Sequence, residues 1–251
     1  MNILITNDDS IHAPGLKALV DCAVGFGNVT VVAPALPQSG QSSALTVGQP
    51  LRIKKLPDYN GAKMYSVSGT PVDCIKLALH TIVDEKPDLI LSGVNHGSNA
   101  GNNIVYSGTM GAVLEGCMAG IPSVGFSLLH HSLEADFTLS QNFVTSIIDR
   151  VIEHGLPKYT VLNVNIPSKI IPKGVRVCKA AQGHWTDEFQ KYTDPFGFDF
   201  YMLTGRFIVD EPDATDTDEY WLNQGYISVV PATPDMTDFK QLEPMSKIFD
   251  K

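Results

Sequence analysis

The run Asn2-Ile3-Leu4-Ile5-Thr6 constrains the fold more than any other stretch. Three consecutive apolar residues between polar ones predict a strand buried on both faces. Two-sided burial belongs to parallel sheets covered by helices. The run stops at Asn7-Asp8-Asp9, residue types that turns favour and strands lack. Two carboxylates grouped where a buried strand ends are costly unless solvent or a cation compensates them. In open α/β sheets, ligands sit at the carboxyl ends of the strands. Asp8 and Asp9 are therefore candidate ligands of a hard metal ion. Taken alone, the pair is better explained by a solvated turn with a helix cap.

The chain that follows alternates as a doubly wound sheet requires. Leu16, Leu19, Val20 and Ala23 form a helical face behind Pro14, glycines at 25 and 27 stop it, and Val29 to Val32 are a second buried strand. These glycines follow a helix and precede a strand, so they make no dinucleotide-binding fingerprint. The polar loop from Pro34 to Ala44, with Ser39-Gly40 at its tightest point, lies at the same sheet edge as the Asp pair. Thr46 to Leu56 and Met64 to Val67 predict a hairpin outside the parallel order. Thr70-Pro71-Val72-Asp73 caps a helix running to about Val83. The next strand, Pro87 to Ser92, leads into Ser92-Gly-Val-Asn-His-Gly-Ser-Asn-Ala-Gly-Asn-Asn103, a loop able to bend tightly and turn backbone amides inward. Asn95 falls three residues past that strand and can lend an amide oxygen to a hard cation if the two strands are neighbours. Ser107-Gly108-Thr109 opens a small-residue helix, an arrangement suited to an anion, although capping alone explains both hydroxyls. Further strands are expected at Ser123–Ser127, Val161–Ile166, Val175–Ala180 and Ile227–Val230, with helices at Ala135–His154 and after Thr217-Asp218. Phe198 to Leu203 is a candidate hairpin strand. Asp210 to Glu219 reads as a solvated acidic loop. Phe239, Leu242, Met245 and Ile248 make a helical stripe that one core does not need.

Composition narrows the partners. The 251 residues carry 18 Lys and Arg against 27 Asp and Glu, a formal net charge of −9. That argues against a nucleic-acid polymer or an anionic membrane as main partner. Cys22, Cys74, Cys117 and Cys178 are too scattered for a zinc site or disulfide framework. With no apolar run long enough to span a bilayer and no leader-like opening, a cytoplasmic protein is expected.

Several stretches together resemble the survival protein SurE family of metal-dependent 5′-nucleotidases. They are Asn7-Asp8-Asp9 with Ala13-Pro14-Gly15, Ser39-Gly40, Ser68-Gly-Thr-Pro-Val-Asp-Cys74, and the glycine- and asparagine-rich loop from Ser92 to Gly101. Tyr106-Ser-Gly-Thr109, Glu115-Gly116, Gly120-Ile-Pro122 and Leu162-Asn-Val-Asn-Ile-Pro167 continue the series, with weaker matches at Thr217-Asp218 and Gly225-Tyr-Ile-Ser228. The resemblance implies an α/β, Rossmann-like, mostly parallel sheet flanked by helices, with hairpin and C-terminal extensions used for oligomerisation. It implies one domain over residues 1–251, in which 1–130 carry the site and 131–251 complete the sheet and supply subunit contacts in a homodimer or homotetramer. It places one Mg²⁺ or Mn²⁺ per subunit on Asp8, Asp9, Ser39 and Asn95. The expected activity is hydrolysis of nucleoside 5′-monophosphates, with 3′-monophosphates and short polyphosphate as further candidates. Two positions depart from the family pattern: Ser10 stands where Gly is usual and Asn103 where Asp is usual. Residues 182–199 show no clear match.

The expected chemistry is attack on phosphorus by water activated at the ion, with Asp8, Asp9 and Asn95 as the catalytic set. Asn7, Asn99, Ser107, Gly108 and Thr109 are the candidate substrate contacts. His96 and His12 are proton-transfer candidates by proximity alone, and Ser39 or Asp8 as a direct nucleophile has less support than water. The rival from another class is a non-catalytic, Mg²⁺-binding phospho-receiver, which shares the acidic pair after its first strand. That module is about half as long and needs an Asp at the end of a later strand, where this chain offers Ser92 and Asn95.

Overall fold

The computed structural model of the chain describes residues 1–130 and 135–250. Its elements, in order, are β1 (Asn2–Thr6), α1 (Pro14–Ala23), β2 (Asn28–Pro34), β3 (Ile53–Tyr59), β4 (Ala62–Val67), α2 (Pro71–Leu77), β5 (Leu89–His96), α3 (Gly108–Met118) and β6 (Ser123–Leu128). The second half adds α4 (Thr138–His154), β7 (Val161–Ile166), β8 (Val175–Val177), β9 (Gly183–Thr186), β10 (Phe189–Thr193), β11 (Asp199–Leu203), β12 (Arg206–Val209), α5 (Asp218–Asn223), β13 (Ile227–Ala232) and α6 (Leu242–Phe249).

Nine strands form one sheet in the order β3-β4-β2-β1-β5-β6-β7-β13-β8. The pairs β1–β2, β1–β5, β2–β4, β5–β6 and β6–β7 are parallel. β1 is buried on both faces, as its apolar run requires. Ile3 and Ile5 pack with Leu16, Leu19 and Val20 of α1 and with Val144 and Ile148 of α4. Leu4 packs on the opposite face with Cys74 and Ile75 of α2 and Ala112 of α3. This alternation follows from the two-residue period of a strand, and helices cover both faces. The chain leaves β1 for β2 on one side and β5 lies on the other. The switch in strand order therefore falls between β1 and β5, where such sheets open a crevice at their carboxyl ends.

The structure differs from the sequence expectations in several places. The hairpin β3–β4 is antiparallel, but β4 also pairs parallel with β2, so of the hairpin β3 alone leaves the parallel order; at the other edge β13 runs antiparallel to β7. β5 does not end at Ser92. It continues through Asn95 to His96, with its pairing to β6 interrupted between Ser92 and Asn95. The interruption has a steric cause: Gly93 adopts φ +120°, and a Cβ there would lie 2.2 Å from the Phe126 carbonyl oxygen, so only glycine admits this close approach. α4 starts at Thr138, not Ala135. The 182–199 stretch, weakly patterned in sequence, contains β9 and β10, which pair antiparallel with β12 and β11 outside the main sheet. Residues 131–134 and 251, at the two ends of the expected 131–251 segment, lie outside the described residues. Among the described residues no helix is long and apolar enough to cross a membrane.

Candidate functional site

β1 and β5 are parallel neighbours with Thr6 opposite Ser92, so the Asp pair just past β1 and Asn95 near the end of β5 lie at one edge. Asn7, fully buried, donates from Nδ2 to the Ser10 carbonyl at 2.9 Å and closes the turn. Ser10 occupies φ +92° in that turn, a conformation that costs a residue with a Cβ about 1 kcal/mol or more. The departure from the family pattern at Ser10 thus places a side chain where glycine is unstrained.

Asp8 and Asp9 are held by different partners. Asp8 is 5% exposed, and Thr109 donates its hydroxyl to Asp8 Oδ1 at 2.7 Å. Burial pushes the Asp8 carboxyl up to about 6; the negative charge of Asp9 adds to the rise, and the Thr109 hydrogen bond opposes it. Asp9 Oδ2 accepts both the His96 backbone N–H at 2.9 Å and a contact with His96 Nδ1 at 3.0 Å. A carboxylate only accepts, so Nδ1 carries the proton there. The His96 ring meets Phe137 edge-on, and its Nε2 is buried without a partner. His96 thus holds Asp9 in place from a position in the cavity lining. His12 is exposed on the turn and lies outside the cavity lining.

The remaining polar groups arrive on segments tied to this pair. Gln38 donates its backbone N–H to the Asp8 carbonyl at 2.7 Å, which sets exposed Ser39 beside Asp8. Asn95 uses Nδ2 on the Gly97 carbonyl at 3.0 Å, leaving its amide oxygen for the cavity. Ser107 is the N-cap of α3 and accepts from the Met110 N–H at 3.1 Å. A Cβ on Gly108 would sit 2.9 Å from the Asp8 Cβ and 3.0 Å from Oδ2, so α3 can approach the carboxylate only at a glycine. Asn99 is clamped by a buried asparagine network. Its N–H donates to Asn165 Oδ1 and its Nδ2 to Ser127 Oγ, both at 2.8 Å, while Asn163 Nδ2 donates to its carbonyl at 2.8 Å. Asn163 and Asn165 share one face of β7 because they are two residues apart.

These groups meet at a cavity of about 390 Å³. Asp8, Ser39, Asn95, Asn99 and Ser107 line it. Asn7, Asp9, Gly108 and Thr109 stand behind that lining and position it. Among the described residues no Lys or Arg lines the cavity, and no three His, Cys, Asp or Glu side chains converge as a metal cluster. Two neighbouring carboxylates, one of them buried, with neutral oxygens around them and no cationic side chain form a donor set that fits a hard divalent cation completed by neutral oxygens.

The far wall is formed by Asn103 and Tyr106, which the family resemblance singles out, and by Trp185, Glu188, Leu203 and Thr204, which sequence reasoning missed. For its second-half members the signal was a set of aromatics, Trp185, Phe189 and Tyr192 among them, scattered through a polar stretch. Sequence reasoning placed Thr217-Asp218 at a helix start, as found, but counted Asp218 within a solvated acidic loop. That side chain is fully buried and accepts N–H groups from Gly101 at 2.7 Å, Ala181 at 2.9 Å and Glu219 at 2.9 Å. It thereby fastens α5 to the loop that follows β5.

The family model for survival protein SurE matches residues 3–187. The chain is 47% identical over 239 residues to the 5′-nucleotidase SurE of Christiangramia forsetii, covering 94% of this chain and 92% of that protein. It is 44% identical over 237 residues to the 5′-nucleotidase SurE of Phocaeicola vulgatus, at 94% and 92% coverage. The crystal structure of the SurE protein from Aquifex aeolicus superposes with a TM-score of 0.84 at 34% identity, covering 99% of both chains. With the acidic pair, the asparagine loop and the α3 cap in the arrangement described, and with this extent of similarity, the chain belongs to the survival protein SurE family.

Proposed function

We infer that this chain is a phosphoric monoester hydrolase that converts nucleoside 5′-monophosphates to nucleoside and phosphate. The observation that carries the reading is the meeting of Asp8, with Asp9 adjacent behind it, the neutral oxygens of Ser39, Asn95 and Asn99, and the Ser107 cap of α3 at one cavity. The naming of its relatives as 5′-nucleotidases supports the substrate class. In this reading Asp8, Asp9, Ser39 and Asn95 hold one Mg²⁺ or Mn²⁺. Bound there, the ion supplies polarisation of a phosphoryl oxygen and acidifies a water. Thr109 and His96 keep the two carboxylates in fixed orientations. The Ser107 hydroxyl and the first N–H groups of α3 face the phosphate, where the positive end of the helix favours an anion. Asn99, immobilised by Ser127, Asn163 and Asn165, orients the ester from the other side, and Asn7 holds the turn. The catalytic set is Asp8, Asp9 and Asn95.

The reading extends to assembly and setting. Residues 1–251 act as one domain, with the second half supplying subunit contacts in a homodimer or homotetramer. Its support is apolar surface that one copy leaves bare. Every residue of β10 and β11 is exposed, and α6 buries none while exposing Leu242, Met245, Ile248 and Phe249. Light scattering on the purified protein measures this state. Four free cysteines, three of them buried, suit a reducing cytoplasm.

Phosphate release from AMP and GMP should require Mg²⁺ or Mn²⁺ and collapse in folded Asp8→Asn and Asp9→Asn proteins. Activity that survives EDTA would sink the reading. A panel with 3′-monophosphates and short polyphosphate sets the substrate range. Incubation with acetyl phosphate should leave no stable acyl-phosphate, which separates this reading from a phospho-receiver.

A further inference from the structure

The cavity has two chemically different ends. The end at Asp8, Asn95 and Ser107 offers oxygens and helix amides. The other end is walled by Trp185 of β9 and by Tyr106 and Leu203. Trp185 stands opposite Phe207 in the β9–β12 pair, and their rings meet edge to face at 5.9 Å. The indole N–H donates to Asn103 Oδ1 at 2.7 Å, and Asn103 Nδ2 donates in turn to the Ala100 carbonyl at 3.0 Å. The one polar atom of the indole is therefore satisfied and its orientation fixed. The residue nevertheless remains 40% exposed and lines the cavity. A tryptophan held by its edge, with π surface left to a cavity, is built to receive a flat apolar partner.

Asn103 belongs to the 3-10 turn Gly101–Tyr106, which runs directly into Ser107. One short segment thus orients both the indole and the proposed phosphate contact, which sets the spacing between them. Ser42 fastens the same segment from outside, donating its hydroxyl to the Val105 carbonyl at 2.6 Å.

We propose that Trp185, oriented by Asn103, is the stacking platform for the nucleobase of the substrate, and that it selects nucleotides over sugar phosphates that lack a base. The proposal rests on the phosphatase reading above and deepens it. Stacking reads the π face, which every base has, so the platform favours nucleotides as a class and does not choose among bases.

Two measurements test it. The protein has two tryptophans, and Trp221 packs away from the cavity against Tyr220 and Tyr226. In a Trp221→Phe protein held in EDTA, adenosine and AMP should quench the remaining Trp185 fluorescence saturably, and ribose 5-phosphate should not. In the metal-loaded enzyme, the kcat/KM ratio of AMP to ribose 5-phosphate should fall about tenfold in Trp185→Leu, carried mainly by KM, and recover in Trp185→Phe. An unchanged ratio in Trp185→Leu overturns the proposal whatever the fluorescence shows. If the wild-type protein hydrolyses no phosphate ester with either cation, the phosphatase reading fails instead. The adenosine titration then decides the platform by itself: saturable quenching upholds it and its absence rejects it.

Discussion

Replacing Asp8 with Asn should stabilise the metal-free protein while abolishing its response to metal. In an unfolded chain an aspartate titrates near 3.8, whereas in the fold burial and the charge of Asp9 push Asp8 up to about 6. The folded protein therefore holds the Asp8 proton more tightly than the unfolded chain. This contribution to stability is fully present below about 3.8 and is lost as pH rises through about 6. Above that range the ionised side chain costs about 3 kcal/mol, at 1.36 kcal/mol for each unit of the rise. Asparagine has the same shape, keeps an oxygen for the Thr109 hydroxyl and never ionises. In EDTA near pH 8, Asp8→Asn should then be about 3 kcal/mol more stable than wild type in urea unfolding at matched protein concentration, or roughly 6–12 °C higher in Tm. The gap should close as pH falls below about 4. Mg²⁺ or Mn²⁺ should raise the wild-type Tm near neutral pH and leave the variant unmoved, because binding to the folded state alone is what stabilises. The reasoning is refuted if the variant is no more stable than wild type in EDTA near pH 8, or if the gap widens on acidification.

Three further substitutions probe the supports of the site. Ser10→Gly should stabilise by about 1 kcal/mol, since φ +92° strains serine and not glycine; a destabilised variant in denaturant titration would contradict this. Gly108→Ala places a methyl 2.9 Å from the Asp8 Cβ. It should lower kcat/KM for AMP about a hundredfold, as displacements near 1 Å do, and circular dichroism should still show the native fold. Asp218→Ala strips the acceptor from the Gly101, Ala181 and Glu219 N–H groups and should cost about 2–4 kcal/mol. Asp218→Asn retains the oxygen used by Ala181 and Glu219 and should lose about half of that in the same unfolding assay.

Much of the fold was legible because its signals are local. The two-sided burial of β1 follows from Ile3-Leu4-Ile5. The start of α2 follows from Thr70 and Asp73, which form the expected capping box. The strands after α3 and α4 follow from apolar runs at the right spacing. Of the arm from β9 to β12, β11 was legible as the hairpin strand expected at Phe198 to Leu203; β9, β10 and β12 were not, since they are largely exposed and carry little of the alternation that burial imposes on a sequence. The length of β5 was hidden for a different reason: Gly93 and Asn95 look like loop residues, but Gly93 approaches Phe126 closely and Asn95 pairs with Ser127 in the sheet.

The sequence by itself determined that two carboxylates, an asparagine loop and a hydroxyl-rich helix start end up at one sheet edge, because alternating strands and helices bring every parallel strand's carboxyl end to the same side. Only the tertiary structure decided how each polar group is used. Thr109, 101 residues from Asp8, spends its hydroxyl on that carboxylate. His96, 87 residues from Asp9, spends two N–H groups there. Asn103, 82 residues from Trp185, sets the indole against the cavity. A side chain's composition fixes what it can donate or accept, but its partner is chosen by contacts between distant segments, and no local pattern in the chain encodes those.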